Sequence, residues 1–577
     1  MKYINLVELY EYLEKTSSRI DKTKKIAEFL RKTDLKILDK VTLLIEGQVF
    51  PSYSEKEMGV ADKMMIKALA SATGFSEKMV VNEFKSTGDL GMTAEKLLSK
   101  KKQKSLISKD LDVEKVFDNL RKLAFIEGKG AQEAKISLIK ELLMNAKPKE
   151  AKYIVRTILE QLRIGVAEGI LRDAICEAFF EAKDSEEKRK IIETIEWAWF
   201  LRSDYAEIAK IAKESGLKGL EKITLEVGKP YHVLLAEKAK DLKEAIDAFE
   251  NPVIEFKYDG ARVCIHKKGD EFWFYTRRLE NITKQFPDLK DLAKKCIKAN
   301  TCVIEGEMLA INPKTGEPLP FQILSQRIKR KYDIEKMVNE IPIQVNLFDV
   351  VYLENKDLFQ EPLKIRRKKL EEIIKPIQGK FQLAEKLETK DIKKAEEFYK
   401  KALKAKQEGV MVKNLDAKYQ PGRRVGYWLK VKPIMETLDL VITGAEWGTG
   451  KRAHWLSTFI LSCKKGDEFV ECGMMGTGIK EKKTEEGDVT FEDLTNELKP
   501  FIISEKGKEV KIKPKIVVEI AYEEIQKSPT YSSGFALRFP RLLRIRYDKS
   551  PKEADDIERI EKLYEQQRGR KLGVDKL

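Results

Sequence analysis

The chain has 577 residues, which is room for about three domains, and it carries 111 Lys+Arg against 95 Asp+Glu for a net charge of +16. That balance favours a polyanionic partner, nucleic acid before membrane. The hydrophobic fraction of 42% suffices for ordinary cores, and no apolar run is long enough to span a bilayer. Six cysteines (Cys176, Cys264, Cys296, Cys302, Cys463, Cys472) form no Cys-x-x-Cys pair and only three histidines accompany them, so no zinc site is readable. They read as reduced, buried thiols. Glu8 and Glu11 near the start argue against a signal peptide, and the expected compartment is the cytoplasm. A charged fraction of 36%, rich in Lys and Glu, fits a protein from a hot environment.

Residues 1–225 read as helices. Apolar residues recur at helical spacing in Ile4–Leu13, Ile26–Leu30, Val113–Ile126 and Ala151–Ile164, with scattered basic residues such as Lys100, Lys104 and Arg163. The expectation is a helical nucleic-acid-binding domain. Residues 226–434 alternate strands and helices, an α+β domain. Its strand candidates are Phe272–Thr276, Cys302–Leu309, Ile343–Val351 and Gly409–Val412, and its helical patterns Asp288–Lys298, Lys364–Ile374 and Lys390–Lys406. In residues 435–577 short strands separated by glycines (Leu438–Gly444, Thr458–Ser462, Phe469–Cys472, Ile516–Tyr522) fit a small β-barrel, closed by an amphipathic helix at Glu553–Gln566.

The α+β region is organised around Glu255-Phe256-Lys257-Tyr258-Asp259-Gly260-Ala261-Arg262. Val253–Lys257 and Ala261–Lys267 alternate like strands, and Asp259-Gly260 reads as a tight turn, so a hairpin is expected with Lys257 at the end of one arm. A free lysine amine has a pKa of about 10.4. Burial and nearby cations would lower it and make Lys257 nucleophilic. Further polar stretches follow in order. Thr276-Arg277-Arg278 follows an aromatic strand, Glu305-Gly306-Glu307 puts two carboxylates on one strand face, and Phe348-Asp349 closes the strand Ile343–Leu347, with an exposed Phe348 suited to stacking on a base. Glu408–Lys413 adds a carboxylate, and Trp428-Leu429-Lys430-Val431-Lys432 sets two lysines on one face, suited to phosphate.

Taken in that order, these stretches resemble the motifs of ATP-dependent DNA ligases of the archaeal and eukaryotic type, within the covalent nucleotidyltransferase superfamily. The late stretches Phe535–Pro540 and Arg546-Tyr547-Asp548-Lys549, and Leu162–Glu168 in the helical region, match as well. The resemblance covers essentially the whole chain. It implies a helical DNA-binding domain (1–225), an adenylation domain (226–434) and an OB-fold barrel with its C-terminal helix (435–577). It implies nick sealing in replication, repair and recombination through a lysyl-AMP on Lys257 and a 5′-adenylated DNA. Glu255 would hold the adenine amine and Phe348 stack on the ring. Arg262 and Arg277 would contact phosphate or ribose, Glu307 and Glu408 would organise metal and ribose, and Lys430 and Lys432 would balance charge on the α-phosphate, with Arg424 a further nucleotide contact. Arg546, Asp548 and Lys549 would orient the leaving pyrophosphate in the first step, after which the barrel would swing about a hinge near Lys432-Pro433-Ile434.

ATP is the implied nucleotide, with ADP and NAD⁺ left open, and Mg²⁺ the implied metal, with Mn²⁺ left open. The implied partner is nicked duplex DNA, met by a monomer. Gln103, Leu106 and Ile107 resemble a short sliding-clamp-binding box without its preferred aromatic pair. Two departures stand out. Thr276 replaces the usual serine, and Cys472–Gly478 is more apolar than the family's version. An RNA ligase or capping guanylyltransferase shares the lysine chemistry but usually lacks the helical region. A non-catalytic DNA-binding scaffold is opposed by the intact Lys257, Glu307, Glu408 and Lys430.

Overall fold

The computed structural model describes residues 1–100, 110–330, 332–433, 436–448, 452, 454–485 and 488–567. Gln103, Leu106 and Ile107 lie outside the described residues, as does Ile434 of the expected hinge.

Among the described residues, twelve α-helices, from Tyr3–Lys15 to Tyr205–Glu221, build the first region. Many begin at a side-chain cap. Ser18, Ser76, Asp112, Asp184 and Asp204 each accept a hydrogen bond from a backbone N–H in the first turn. Helix Val113–Leu123 buries Val116, Phe117, Leu120 and Leu123, the stripe legible in the sequence. The pattern Ala151–Ile164 does not stay helical to its end. That helix spans Pro148–Ile158, and left-handed backbone at Glu160, Arg163 and Gly165 (φ 55°, 57° and 64°) turns the chain out. The Lys22 ammonium holds the resulting loop by donating to the Ile164 and Gly165 carbonyls at 2.5 and 3.0 Å.

One small cavity of about 140 Å³ in this region collects Glu46, Glu168 and Asp204. Burial, then the charges of Asp204 and Glu168, push Glu46 up to about 8 from 4.5. The fold therefore keeps a proton there that the unfolded chain loses above pH 4.5, and stability falls as pH rises from 4.5 to 8. The slope is at most about 1.4 kcal/mol per pH unit. Glu46→Gln is expected to melt higher than the parent above pH 8 and within error of it at pH 5. Equal melting temperatures at both would contradict this.

The second region holds two sheets. In one, the strands run in the order Glu237–Lys238, Trp428–Val431, Gly409–Asn414, Pro252–Lys257, Lys386–Glu388. In the other the order is Glu271–Thr276, Ala261–Lys268, Thr301–Ile311, Ile343–Leu353, Lys356–Asp357, with Pro318–Leu319 and Phe381–Leu383 pairing on its flanks. The expected hairpin at the lysine is therefore corrected. Pro252–Lys257 pairs with Gly409–Asn414 and Lys386–Glu388, while Ala261–Lys268 pairs with Glu271–Thr276 and Thr301–Ile311. Tyr258-Asp259-Gly260 carries the chain from one sheet to the other instead of folding it back. Gly260 is needed for contact, since a Cβ there would sit 2.3 Å from the Met308 carbonyl oxygen.

The first sheet shares one apolar core with the helical region, including Ile254, Phe256, Val410, Val412 and Trp428. Trp199 stacks on His232 at 4.1 Å and Trp197 meets Phe359 edge-on at 5.7 Å across that junction. The second sheet has its own core of Val263, Ile265, Phe274, Ile304 and Val345. In the third region the strand Leu438–Trp447 pairs with Leu456–Lys465 along one edge, and with both Glu509–Ile512 and Val517–Ala521 along the other. This is the OB-like unit. The last helix is shorter than expected, Ile557–Gln566, preceded by a single 3₁₀ turn at Pro551–Glu553.

Candidate active site

Lys257 ends its strand at the cleft between the two sheets. Gly409 lies opposite it in register, and the Glu408 N–H donates to the Lys257 carbonyl at 2.9 Å. That pairing brings the Glu408 carboxylate 2.9 Å from Lys257 Nζ and 2.8 Å from Lys432 Nζ. Gly409 makes the approach possible. Its φ is +143°, and a Cβ would lie 2.2 Å from the Val431 carbonyl oxygen.

The electrostatics correct one expectation. Burial does pull the Lys257 pKa down, but Glu408, Glu307 and Asp259 outweigh it and the net shift is upward. The group touching this lysine is the Glu408 carboxylate, and the nearby charges that decide its shift are carboxylates, not the cations that were expected, so in the nucleotide-free cleft it is an ammonium held by Glu408. Burial pushes Glu408 up, but Lys257 and Lys432 hold its carboxyl well below the usual range.

Glu307, opposite Arg262 in register, is the contrasting carboxylate. Burial pushes it up to about 7 against the pull of Lys257 and Arg262, with Glu408 and Asp259 adding to the rise. No hydrogen bond or ion pair to its side chain occurs among the described residues. Glu305, two residues earlier, is spoken for. It is fully buried and accepts from Arg262 NH2 at 2.5 Å and from the hydroxyls of Tyr419 and Tyr231. The Glu305/Glu307 pair thus divides into a structural and an available carboxylate.

Phe348 is neither exposed nor at a strand end, which corrects the second expectation. The strand runs on through Val350 and Val351 to Leu353, and Phe348 is 8% exposed, edge-on to Trp428 at 5.8 Å. The cations of Lys413 and Arg262 face both rings. Glu255 is buried between Lys413 and Arg367, at 2.5 and 3.2 Å. Arg262 is recessed, donating also to the Leu234 carbonyl at 2.7 Å.

Around the rim the balance is positive. Arg277 is exposed, yet its pKa is lowered, by partial desolvation first and then by Arg262 and Arg424. Lys430 is lowered by burial and by Lys432 and Lys257. No carboxylate lies within 4.0 Å of Arg277, Arg424 or Lys430 among the described residues. Crowded cations without counter-charges suit a polyphosphate.

Arg546, Asp548 and Lys549 are elsewhere. Arg546 pairs with Asp439 at 2.9 Å and with Asp548 at 2.7 Å, and Lys549 with Asp439 at 2.6 Å, all on the OB-like unit. Among the described residues none of them touches Lys257, Glu307 or Glu408. Among the described residues, Glu523 of the barrel reaches the cleft, 3.3 Å from Lys432.

The whole chain aligns with known proteins. Residues 2–176 match the DNA ligase N terminus family, 233–432 the ATP dependent DNA ligase domain and 452–549 the ATP dependent DNA ligase C terminal region. The chain is 50% identical over 573 residues to a DNA ligase of Nanoarchaeum equitans, covering 99% of each. The chain belongs to the ATP-dependent DNA ligases. It is 47% identical over 568 residues to a DNA ligase of Thermococcus onnurineus, covering 98% of each. A solved structure named Pmar-Lig_PreS3 shares the fold with a TM-score of 0.54 at 18% identity, over 94% of this chain and 99% of that one. This ligase seals nicks in duplex DNA using ATP and a divalent metal.

Residue by residue, the ligase gathers Lys257, Glu307, Glu408, Lys430 and Lys432 in one cleft, with Arg277 and Arg424 at its rim. Lys413, Arg367, Tyr231, Tyr419 and Glu523 went unassigned in the sequence. Only Lys413 carried a signal there, a single charge closing the apolar run Val410–Val412.

Proposed function

We propose that Lys257 takes AMP from ATP and passes it to DNA. Once the ammonium has lost a proton to solvent, Nζ attacks the α-phosphorus, a P–N bond forms, the bond to the β-phosphate oxygen breaks to release pyrophosphate, and the nitrogen sheds a second proton. A 5′-phosphate at the nick then takes the AMP, and the 3′-hydroxyl displaces it to close the strand. The observation that carries this reading is the row Lys257–Glu408–Lys432, with Glu307 alongside and uncompensated cations at the rim.

The donor set of Glu307 and Glu408 is all oxygen and fits a hard cation such as Mg²⁺ or Mn²⁺. No cluster of three or more His, Cys, Asp or Glu able to hold a metal occurs among the described residues. Two carboxylates with nucleotide phosphates and water complete such a shell. When bound, the metal supplies positive charge to phosphate oxygens and offsets the carboxylates that hold the Lys257 proton. Arg277, Arg424, Lys430 and Lys432 draw the triphosphate into line. Glu255 accepts from the adenine amine, and Phe348 borders the base. Arg546, Asp548 and Lys549 serve the first step after the barrel moves.

The enzyme acts as a monomer in the cytoplasm; no helix of the described residues is long and apolar enough to cross a membrane. Clamp binding through Gln103, Leu106 and Ile107 is tested by Leu106→Ala with Ile107→Ala, and binding that survives both removes it. For the chemistry, the protein is incubated with α-labelled ATP and Mg²⁺ and then with nicked duplex. Acid-labile label discharged by the nick supports the route, and label not discharged points to another acceptor. No label with ATP, but label with ADP or adenylate-labelled NAD⁺, would replace ATP as the donor. Mn²⁺ in place of Mg²⁺ ranks the metals.

A further inference from the structure

The Glu255 carboxylate has a cation on each oxygen. Lys413 Nζ donates to Oε2 at 2.5 Å and Arg367 NH1 to Oε1 at 3.2 Å. All three side chains are enclosed, at 4%, 2% and 5% exposure for Glu255, Lys413 and Arg367. Neither cation is loose. Arg367 also donates to the Ala384 carbonyl at 2.8 Å and to Glu371 at 3.0 Å, which fixes its plane. The Lys413 ammonium is seated over two rings, 4.3 Å from the Phe348 centroid and 4.2 Å from that of Trp428. Ordering two long cationic side chains and desolvating them is costly. Neither touches Lys257, Glu307 or Glu408, so the nucleophile does not account for them.

We propose that Lys413 and Arg367 are positioning residues that lock Glu255 as a pure hydrogen-bond acceptor and so set the enzyme's choice of 6-amino over 6-oxo purines. The inference rests on Glu255 facing the base, as read above. A carboxylate clamped by two cations presents only lone pairs. An exocyclic amine at C6 donates to it. A carbonyl at C6 sets lone pair against lone pair and leaves both groups unpaired in a dry pocket. Without one cation, an oxygen of the carboxylate is no longer held in place and can turn from the base. The fixed lone pair facing C6 is then lost and the discrimination collapses. The two rings under Lys413 couple the clamp to Phe348, at the border of the base.

The test measures transfer of label from α-labelled ATP and α-labelled inosine triphosphate to the protein, with Mg²⁺ and no DNA. Inosine triphosphate differs in carrying oxygen for the amine. The parent is expected to prefer ATP by at least about 100-fold in the second-order rate constant for labelling. Lys413→Gln and Arg367→Gln are each expected to bring that ratio within about tenfold, chiefly through a higher half-saturating concentration of ATP, and Lys413→Arg to restore it. A ratio unchanged in both Gln variants, while Glu255→Gln does shift it, overturns the clamp and leaves the Glu255 assignment standing. A ratio unchanged in Glu255→Gln as well overturns the assignment itself. Should Lys413→Gln melt below the assay temperature, Arg367→Gln decides alone on the same ratio, and Arg367→Lys, which keeps the charge, is expected to hold the parent's preference.

Discussion

Lys257→Ala is expected to leave the protein unlabelled by α-labelled ATP and to lower nick sealing by at least about 10⁴-fold, the result for loss of a covalent nucleophile. A nick that already carries 5′-AMP is still closed, because that step breaks no bond to Lys257. No other amine is placed to substitute. Lys432 is tied between Glu408 and Glu523 at 2.8 and 3.3 Å, and Lys430 lies two strands over, opposite Met411 of the strand between. Glu408 keeps Lys432 as a partner after the change, so the melting temperature should move little. Single-turnover sealing of nicked and pre-adenylated substrates checks both halves, and equal loss on the two would refute the division of labour.

Glu408→Gln is expected to slow label formation by about 10²- to 10³-fold, the size seen when one preorganised electrostatic partner is removed. Two ammonium groups share this one carboxylate. Without its charge Lys257 and Lys432 repel one another, and the oxygen set for a metal falls to Glu307. Binding of nicked duplex, which depends on phosphate contacts over the whole surface, should stay within about twofold. A variant that binds DNA normally and labels at the parent's rate would place Glu408 outside the chemistry.

Much of this architecture was legible because the patterns were long. The helical stripes, the alternating strands and the order of the motifs each span many residues, and three ligase family models match the chain at 2–176, 233–432 and 452–549. What failed was pairing. Alternation around Asp259-Gly260 fits a hairpin and a sheet-to-sheet crossing equally, since period and turn residues carry no partner information. The Lys257 pKa was misread for the same reason. Its sign depends on Glu408, brought alongside from about 150 residues away by strand register. Phe348-Asp349 was read as closing the strand Ile343–Leu347, yet Asp349 is buried against Arg366 at 2.9 Å and the strand passes through it. Arg367 was invisible among the basic residues of Lys364–Lys369; only the folded helix Leu363–Ile373 singles it out.

The contact between Lys432 and Glu523 is half open to solvent, with side-chain exposures of 24% and 48%. Such a pair contributes at most about 1 kcal/mol, less than two units of thermal energy. It acts as a detent and not as a lock: it marks one resting orientation of the barrel without resisting departure from it. On the proposed swing of the barrel, its orientation should follow the charge in the cleft. A triphosphate, a lysyl-linked monophosphate and a duplex backbone would each present a different number of anionic oxygens to Lys432. Glu523 would compete with all of them for the same ammonium, so that each chemical step would re-set the bias on the barrel.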